Sequence, residues 1–204
     1  MSRRRPSRRA VLAGAACSGL APPARAATGE VRVALTTPLG AIVVAVDTAR
    51  APISAGDFLT YVDRGLFDGG AFYRTVRPDN DGNPVKIDVI QGGVTDKTKE
   101  LPGIAHEPTS KTGLRHRDGT LSVGRNTPGT GTAGAFFICI GDQPELDFGG
   151  RRNPDRQGFA AFGRVVSGMD VVHAIWTSKT GAPDSGKGAQ SLAPPIPIVI
   201  ARRA

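Results

Sequence analysis

The sequence predicts a mainly β fold, a closed eight-stranded antiparallel β-barrel capped by two α-helices. Apolar and β-branched residues recur in about eight short runs bounded by turn formers, and only two stretches change to helical spacing. Closing such a sheet on itself removes the exposed edges that many short strands would otherwise leave. The 204 residues are 39% apolar with 27 glycines and 16 prolines, which suits one turn-rich domain able to bury a core.

The first elements are a hairpin: Glu30–Leu35 and Gly40–Val46 read as strands joined by Thr36–Leu39. Pro52–Arg64 then carries Ile53, Phe58, Leu59 and Val62 at helical spacing, with Ser54 as a cap and Gly65 as a stop. This helix is expected to cover one end of the sheet. After the Asp68–Gly70 turn, Ala71–Val76 and Ile87–Gly93 read as strands on either side of a polar loop, Arg77–Pro84. The loop sets Asp79, Asp81 and Asp88 at calcium-loop spacing, but Arg77 places a cation in the first ligand position and excludes that site.

Thr95–Thr120 is long, polar and irregular, the length of a functional or wrapping loop. Leu121–Val123 and Phe136–Ile140 are strands, and the loop between them contains Gly129-Thr-Gly131-Thr-Ala-Gly134. That spacing fits a dinucleotide fingerprint, yet a strand follows where a helix N-terminus would have to hold the pyrophosphate. Gln143–Gly158 is another polar loop and Phe159–Val166 another strand. Gly168–Trp176 is the second helix, with Met169, Val172 and Trp176 on one side. Ile196–Ala201 is the last strand, entered through Pro194, Pro195 and Pro197.

The formal charge of +8 does not point to nucleic acid. Six arginines lie in the first 26 residues, which hold no acid, so the remainder carries only +2. Residues 1–26 read as an export signal: a basic start, an apolar stretch from Ala10 to Ala21, and Ala24-Arg25-Ala26 as a cleavage site. Ser7-Arg8-Arg9-Ala10-Val11-Leu12 resembles a twin-arginine signal, with the general secretory route as the alternative and a lipid anchor at Cys17 a weaker one. The expectation is a periplasmic or secreted monomeric domain over residues 27–204 with no membrane-spanning segment, because no apolar run reaches about 18 residues.

After cleavage Cys139 is the lone cysteine, read as a small buried hydrophobe. His106, His116 and His173 have no partners at ligand spacing, so no metal and no cofactor are expected.

Candidate site residues stand out where polar groups interrupt apolar strands: Arg74 in Phe72-Tyr73-Arg74, and Gln91 in Ile90-Gln91-Gly92-Gly93. With Phe136-Phe137-Ile138 and Phe162-Gly163 further on, these stretches resemble the cyclophilins, peptidyl-prolyl cis/trans isomerases, over about residues 31 to 201. The resemblance implies a bacterial, exported isomerase acting on Xaa-Pro bonds of exported proteins and assisting their folding. It implies Arg74 as the catalytic donor, with Gln91, Phe137, Leu146, Val89, Phe159 and Phe72 contacting the proline-containing segment.

The pocket departs from the family pattern. Asp88 stands where that pattern has a phenylalanine, Ala135 for a second glutamine, Arg125 for an asparagine, Glu145 for a tryptophan and Phe159 for a histidine. Asp88 is expected to compete for Arg74. These departures favour an alternative reading, a proline-segment binding module or chaperone with little turnover.

Overall fold

The computed structural model describes Met1, residues 29–181 and residues 189–204. The expected export signal, Met1 apart, and Cys17 lie outside the described residues.

The chain runs β1 (Glu30–Thr37), β2 (Gly40–Asp47), α1 (Pro52–Asp63), β3 (Gly70–Val76), β4 (Val89–Gly93), α2 (Thr109–Thr112), β5 (Thr120–Val123), β6 (Ala135–Cys139), β7 (Ala160–Ser167), α3 (Met169–Trp176), β8 (Ser191–Ile198) and β9 (Ile200–Arg203). The described strands form one antiparallel sheet in the order β8-β3-β4-β6-β5-β7-β2-β1-β9. Its two outer strands are consecutive in sequence. β8 pairs with β3 and β9 with β1, while Val199 between them donates its N–H to the Thr36 carbonyl at 2.8 Å. One bent strand therefore fastens both margins of a nearly closed barrel.

Among the described residues this corrects the expected eight strands to nine, because the last strand bends into two. It also begins earlier than Ile196, at Ser191. The prolines sit inside β8 beyond Leu192, where its only partner among the described residues is β3; the bridge to Thr180 on the other side is confined to the start of the strand. Pro194 and Pro195 fall in the stretch where the register with β3 jumps from Phe72↔Ile196 to Arg74↔Ser191. Among the described residues the α-helix count rises to three, since Thr109–Thr112 forms one turn inside the long loop.

Ser54 is not the cap of α1. Ala51 precedes the helix without a side-chain bond, Pro52 supplies the preset φ of its first turn, and Ser54 uses both its N–H and its hydroxyl to bind Glu107 Oε2 at 2.7 and 2.8 Å. In α3 the buried residues are Val171, Val172 and Ile175, with Met169 and Trp176 only partly covered.

The barrel interior is aromatic. The Phe58 ring lies 5.1–5.5 Å from those of Phe67, Phe136 and Phe162, and Phe72 meets Phe136 edge-on at 5.9 Å. Fully burying one such side chain contributes roughly 1.5–3 kcal/mol. A smaller apolar cluster of Val76, Ile87, Val89, Phe137, Cys139 and Leu146, with Phe159 against it, gathers separately from this core. Strand alternation makes it: Phe136 and Ile138 belong to the interior, and Phe137 and Cys139 to the opposite face.

Candidate functional site

A break in alternation aims the central side chain. Phe72 pairs with Gly92, yet Arg74 pairs with Gln91, so β3 spends one extra residue, Tyr73, against β4. Without that bulge Phe72 and Arg74 would share a face. With it, Phe72 points into the barrel, fully buried, and Arg74 joins Val76, Val89 and Gln91 outside. Phe72 is therefore a core residue and not a wall of the pocket, which corrects its expected place among the substrate contacts.

The guanidinium of Arg74 is held by two glutamines. Nη1 donates to Gln91 Oε1 at 2.8 Å, while Nε and Nη2 donate to Gln190 Oε1 at 2.9 and 2.6 Å. Gln190 is fixed in turn through its Nε2, which donates to the Asn80 carbonyl at 3.1 Å. Burial pushes the pKa of Arg74 down and the nearby Arg152 cation adds to that. Among the described residues three of its five N–H groups are engaged, which leaves one on each terminal nitrogen for a ligand.

Beside Arg74 opens a pocket of about 180 Å³ floored by Val89, Phe137, Leu146 and Ile87 and walled by Phe159, with Gln91, Arg125, Arg152 and Asn153 around it. Of the expected site residues, Arg74, Gln91, Phe137, Leu146, Val89 and Phe159 all meet here. Phe159 stands edge-on to Phe137 at 5.2 Å. Gly124 passes so close to Gln91 that an added Cβ would lie 3.1 Å from its amide nitrogen. A second depression of about 260 Å³ shares Arg74, Gln91 and Arg125 and continues past Ala135 and Glu100.

Arg125 is spent on structure. Its side chain is 2% exposed, binds Asp155 with two nitrogens at 2.8 and 3.0 Å and the Gly158 carbonyl with Nε at 2.8 Å, and lies 5.2 Å over the Phe159 ring. Gly158 takes a left-handed backbone (φ +63), and any Cβ there would strike Asp147. Arg152 is anchored in a similar way by Asp81, at 2.6 and 3.2 Å.

The expected competition for Arg74 by Asp88 does not occur, because both partners of that guanidinium are glutamines. Asp88 keeps one buried carboxylate oxygen without a partner among the described residues. Its burial, with Asp81 and Asp79 nearby, pushes its pKa up. Glu145 pairs with Arg151 at 2.6 Å instead of lining the pocket.

His116 is structural. It bridges Asp147 (Nδ1, 2.8 Å) and Ser122 (Nε2, 3.0 Å), both of them buried, and stacks against Phe137 at 5.9 Å. The three side chains prop the pocket floor from behind.

Gln190, Arg152 and Asn153 escape a sequence reading. Gln190 stands 116 positions from the arginine it holds, in a segment with no apolar period to place it.

Comparison with known proteins agrees with this geometry. The family described as cyclophilin type peptidyl-prolyl cis-trans isomerase matches residues 32–201. Peptidyl-prolyl cis-trans isomerase A of Dickeya dadantii is 33% identical over 180 residues, 87% of this chain and 86% of the relative. Peptidyl-prolyl cis-trans isomerase cyp18 of Streptomyces antibioticus is 35% identical over 170 residues, 82% and 94%. A cyclophilin-type isomerase structure from Cryptosporidium parvum, solved in the presence of the dipeptide Ala-Pro, superposes with a TM-score of 0.64 at 18% identity, covering 85% of this chain and 98% of the other.

Proposed function

The chain belongs to the cyclophilin-type peptidyl-prolyl cis-trans isomerase family, and from that premise we propose that it turns Xaa-Pro bonds of exported proteins with Arg74 as the catalytic donor, assisting their folding. One observation carries the reading: a largely buried guanidinium, fixed by two glutamines, beside a pocket of about 180 Å³ with an apolar floor and a polar rim.

Rotation about an Xaa-Pro bond is opposed by amide resonance, a barrier of about 18–20 kcal/mol, and takes roughly 10–100 s unaided. No nucleophile or proton shuttle is required. The proline ring sits on Phe137, Val89 and Leu146 with Phe159 at its side, and Gln91 holds the flanking backbone. As the bond twists, the nitrogen lone pair leaves conjugation and becomes an acceptor. A free N–H of Arg74 then binds the twisted amide more strongly than the planar one, which lowers the barrier. Arginine suits the role because it remains protonated at working pH and presents its donors in a rigid fork.

Isomerisation of a short Xaa-Pro peptide, followed by NMR exchange beside an Arg74→Ala variant, tests the assignment. The variant should lose about 100-fold in kcat/KM, the scale of removing one transition-state donor. Equal rates would remove Arg74 from the role. No turnover in the unaltered protein, with peptide still bound, would make it a binding module, the reading favoured by the use of Arg125 as a clamp.

Export rests on residues 1–26. Replacing Arg8 and Arg9 together by lysine should retain the protein in the cytoplasm of a bacterial host. An unchanged periplasmic fraction would redirect the signal to the general secretory route.

A further inference from the structure

Asn153 lines the pocket beside Arg74, and its amide nitrogen is buried without a hydrogen-bond partner among the described residues. Buried amides are ordinarily satisfied, so one left open beside a ligand pocket calls for a physical reason. Its surroundings are otherwise tightly built. Arg152, its neighbour, is locked to Asp81, while Asp155, two positions on, is locked to Arg125. The Asn153 carbonyl accepts from the Arg156 N–H at 3.0 Å, and Gly149 N–H donates to the Arg156 carbonyl at 2.8 Å. The loop is a rigid frame that leaves one buried side-chain nitrogen unpaired. Arg125, which occupies the place of the family's substrate-binding asparagine, has its donors committed to Asp155 and Gly158 and cannot serve a ligand.

We propose that Asn153 is a substrate-positioning residue, whose side-chain amide donates to a backbone carbonyl of the bound segment next to its proline. The proposal rests on the isomerase reading and deepens it. No hydrogen bond holds the amide nitrogen, so it can turn about Cβ–Cγ toward the pocket and gains its first partner on doing so. The carbonyl groups flanking a proline are the strongest acceptors such a segment brings, and the proline itself offers no N–H. An unsatisfied donor costs stability in the empty protein and returns that cost as affinity when the ligand arrives. The two arginine anchors hold the loop in place beforehand, so binding orders little else.

The test compares the unaltered full chain with Asn153→Ala and the near-isosteric Asn153→Leu, measuring kcat, KM, the Kd of an Ala-Pro peptide, and thermal unfolding. Both variants should raise KM and Kd about fivefold, the scale of one neutral hydrogen bond, with kcat little changed. Their melting temperatures should equal or exceed that of the unaltered protein, because an unsatisfied polar group has been removed. In ¹⁵N-labelled protein, the Asn153 side-chain amide protons should shift downfield on titration with the peptide.

Unchanged Kd in both variants, or an amide that does not move on titration, would overturn the proposal. So would a melting temperature lowered by several degrees with kcat and KM worsened together, the mark of a structural amide. Absence of turnover with peptide still bound would overturn the isomerase reading alone, since Kd and the amide shift still report on Asn153. Absence of any peptide binding would overturn both.

Discussion

Arg74 in the pocket and Asp88, between the pocket residues Ile87 and Val89, behave oppositely for reasons of partnership. Arg74 is ringed by neutral amides that accept its protons, so a cation persists in a largely buried place. Asp88 has a buried oxygen with no donor, and its carboxyl is pushed up by burial and by Asp81 and Asp79. A carboxyl raised on folding is destabilising when ionised: the penalty is fully present above its folded pKa and vanishes below the unfolded value of about 3.9. Asp88→Asn should therefore raise the melting temperature at pH 7, by no more than about 2 °C because much of the group remains solvated, and the gain should disappear near pH 3. A variant equally stabilised at both pH values would assign the effect to packing. That Arg74 and Gln91 belong together was legible in the sequence, since each interrupts an apolar run. Their spatial partner Gln190 was not, because side-chain bonds across 116 positions leave no local pattern.

At the scale of the element, regular alternation was legible and its exceptions were not. The period of two places Phe137 and Cys139 on one face of β6 correctly, but the same rule applied to Phe72 and Arg74 fails at the Tyr73 bulge. The loops are held by side chains, and the tie between Arg152 and Asp81, 11% and 2% exposed, joins the loop before β7 to the loop before β4. Asp81 also accepts from the N–H groups of Asn83 and Ile87 at 3.1 and 3.3 Å. Asp81→Ala would strand a buried guanidinium and free two amides. We expect it to cost about 3–5 kcal/mol in denaturant unfolding and to raise KM, since Arg152 and Ile87 both border the pocket. A loss below about 1 kcal/mol would show that water reaches Arg152 freely.

For the whole molecule, the class of fold followed from composition and periodicity, because a barrel is the architecture that eight or nine short strands reach without leaving edges. The manner of closure was hidden, since a run broken by Pro194, Pro195 and Pro197 reads as an entry segment, whereas in the molecule it is half of the fastening strand. That fastening gives the protein the mechanics of a hoop joined at one rivet. Val199 sits between the stave that borders Arg74 and the stave at the far margin, and residue 198 meets residue 70 while residue 203 meets residue 33. The entropic toll of bringing such distant points together grows only as the logarithm of the intervening length, about 0.6 kcal/mol for each doubling. The length of segments such as 77–88 and 147–159 thus weighs little on the hoop, whereas their sequence is fixed where Asp81 anchors Arg152 and where Gly158 passes Asp147. On the proposed isomerase reading, a preference among proline-containing segments belongs to the untied positions of these loops, while the rivet holds the frame.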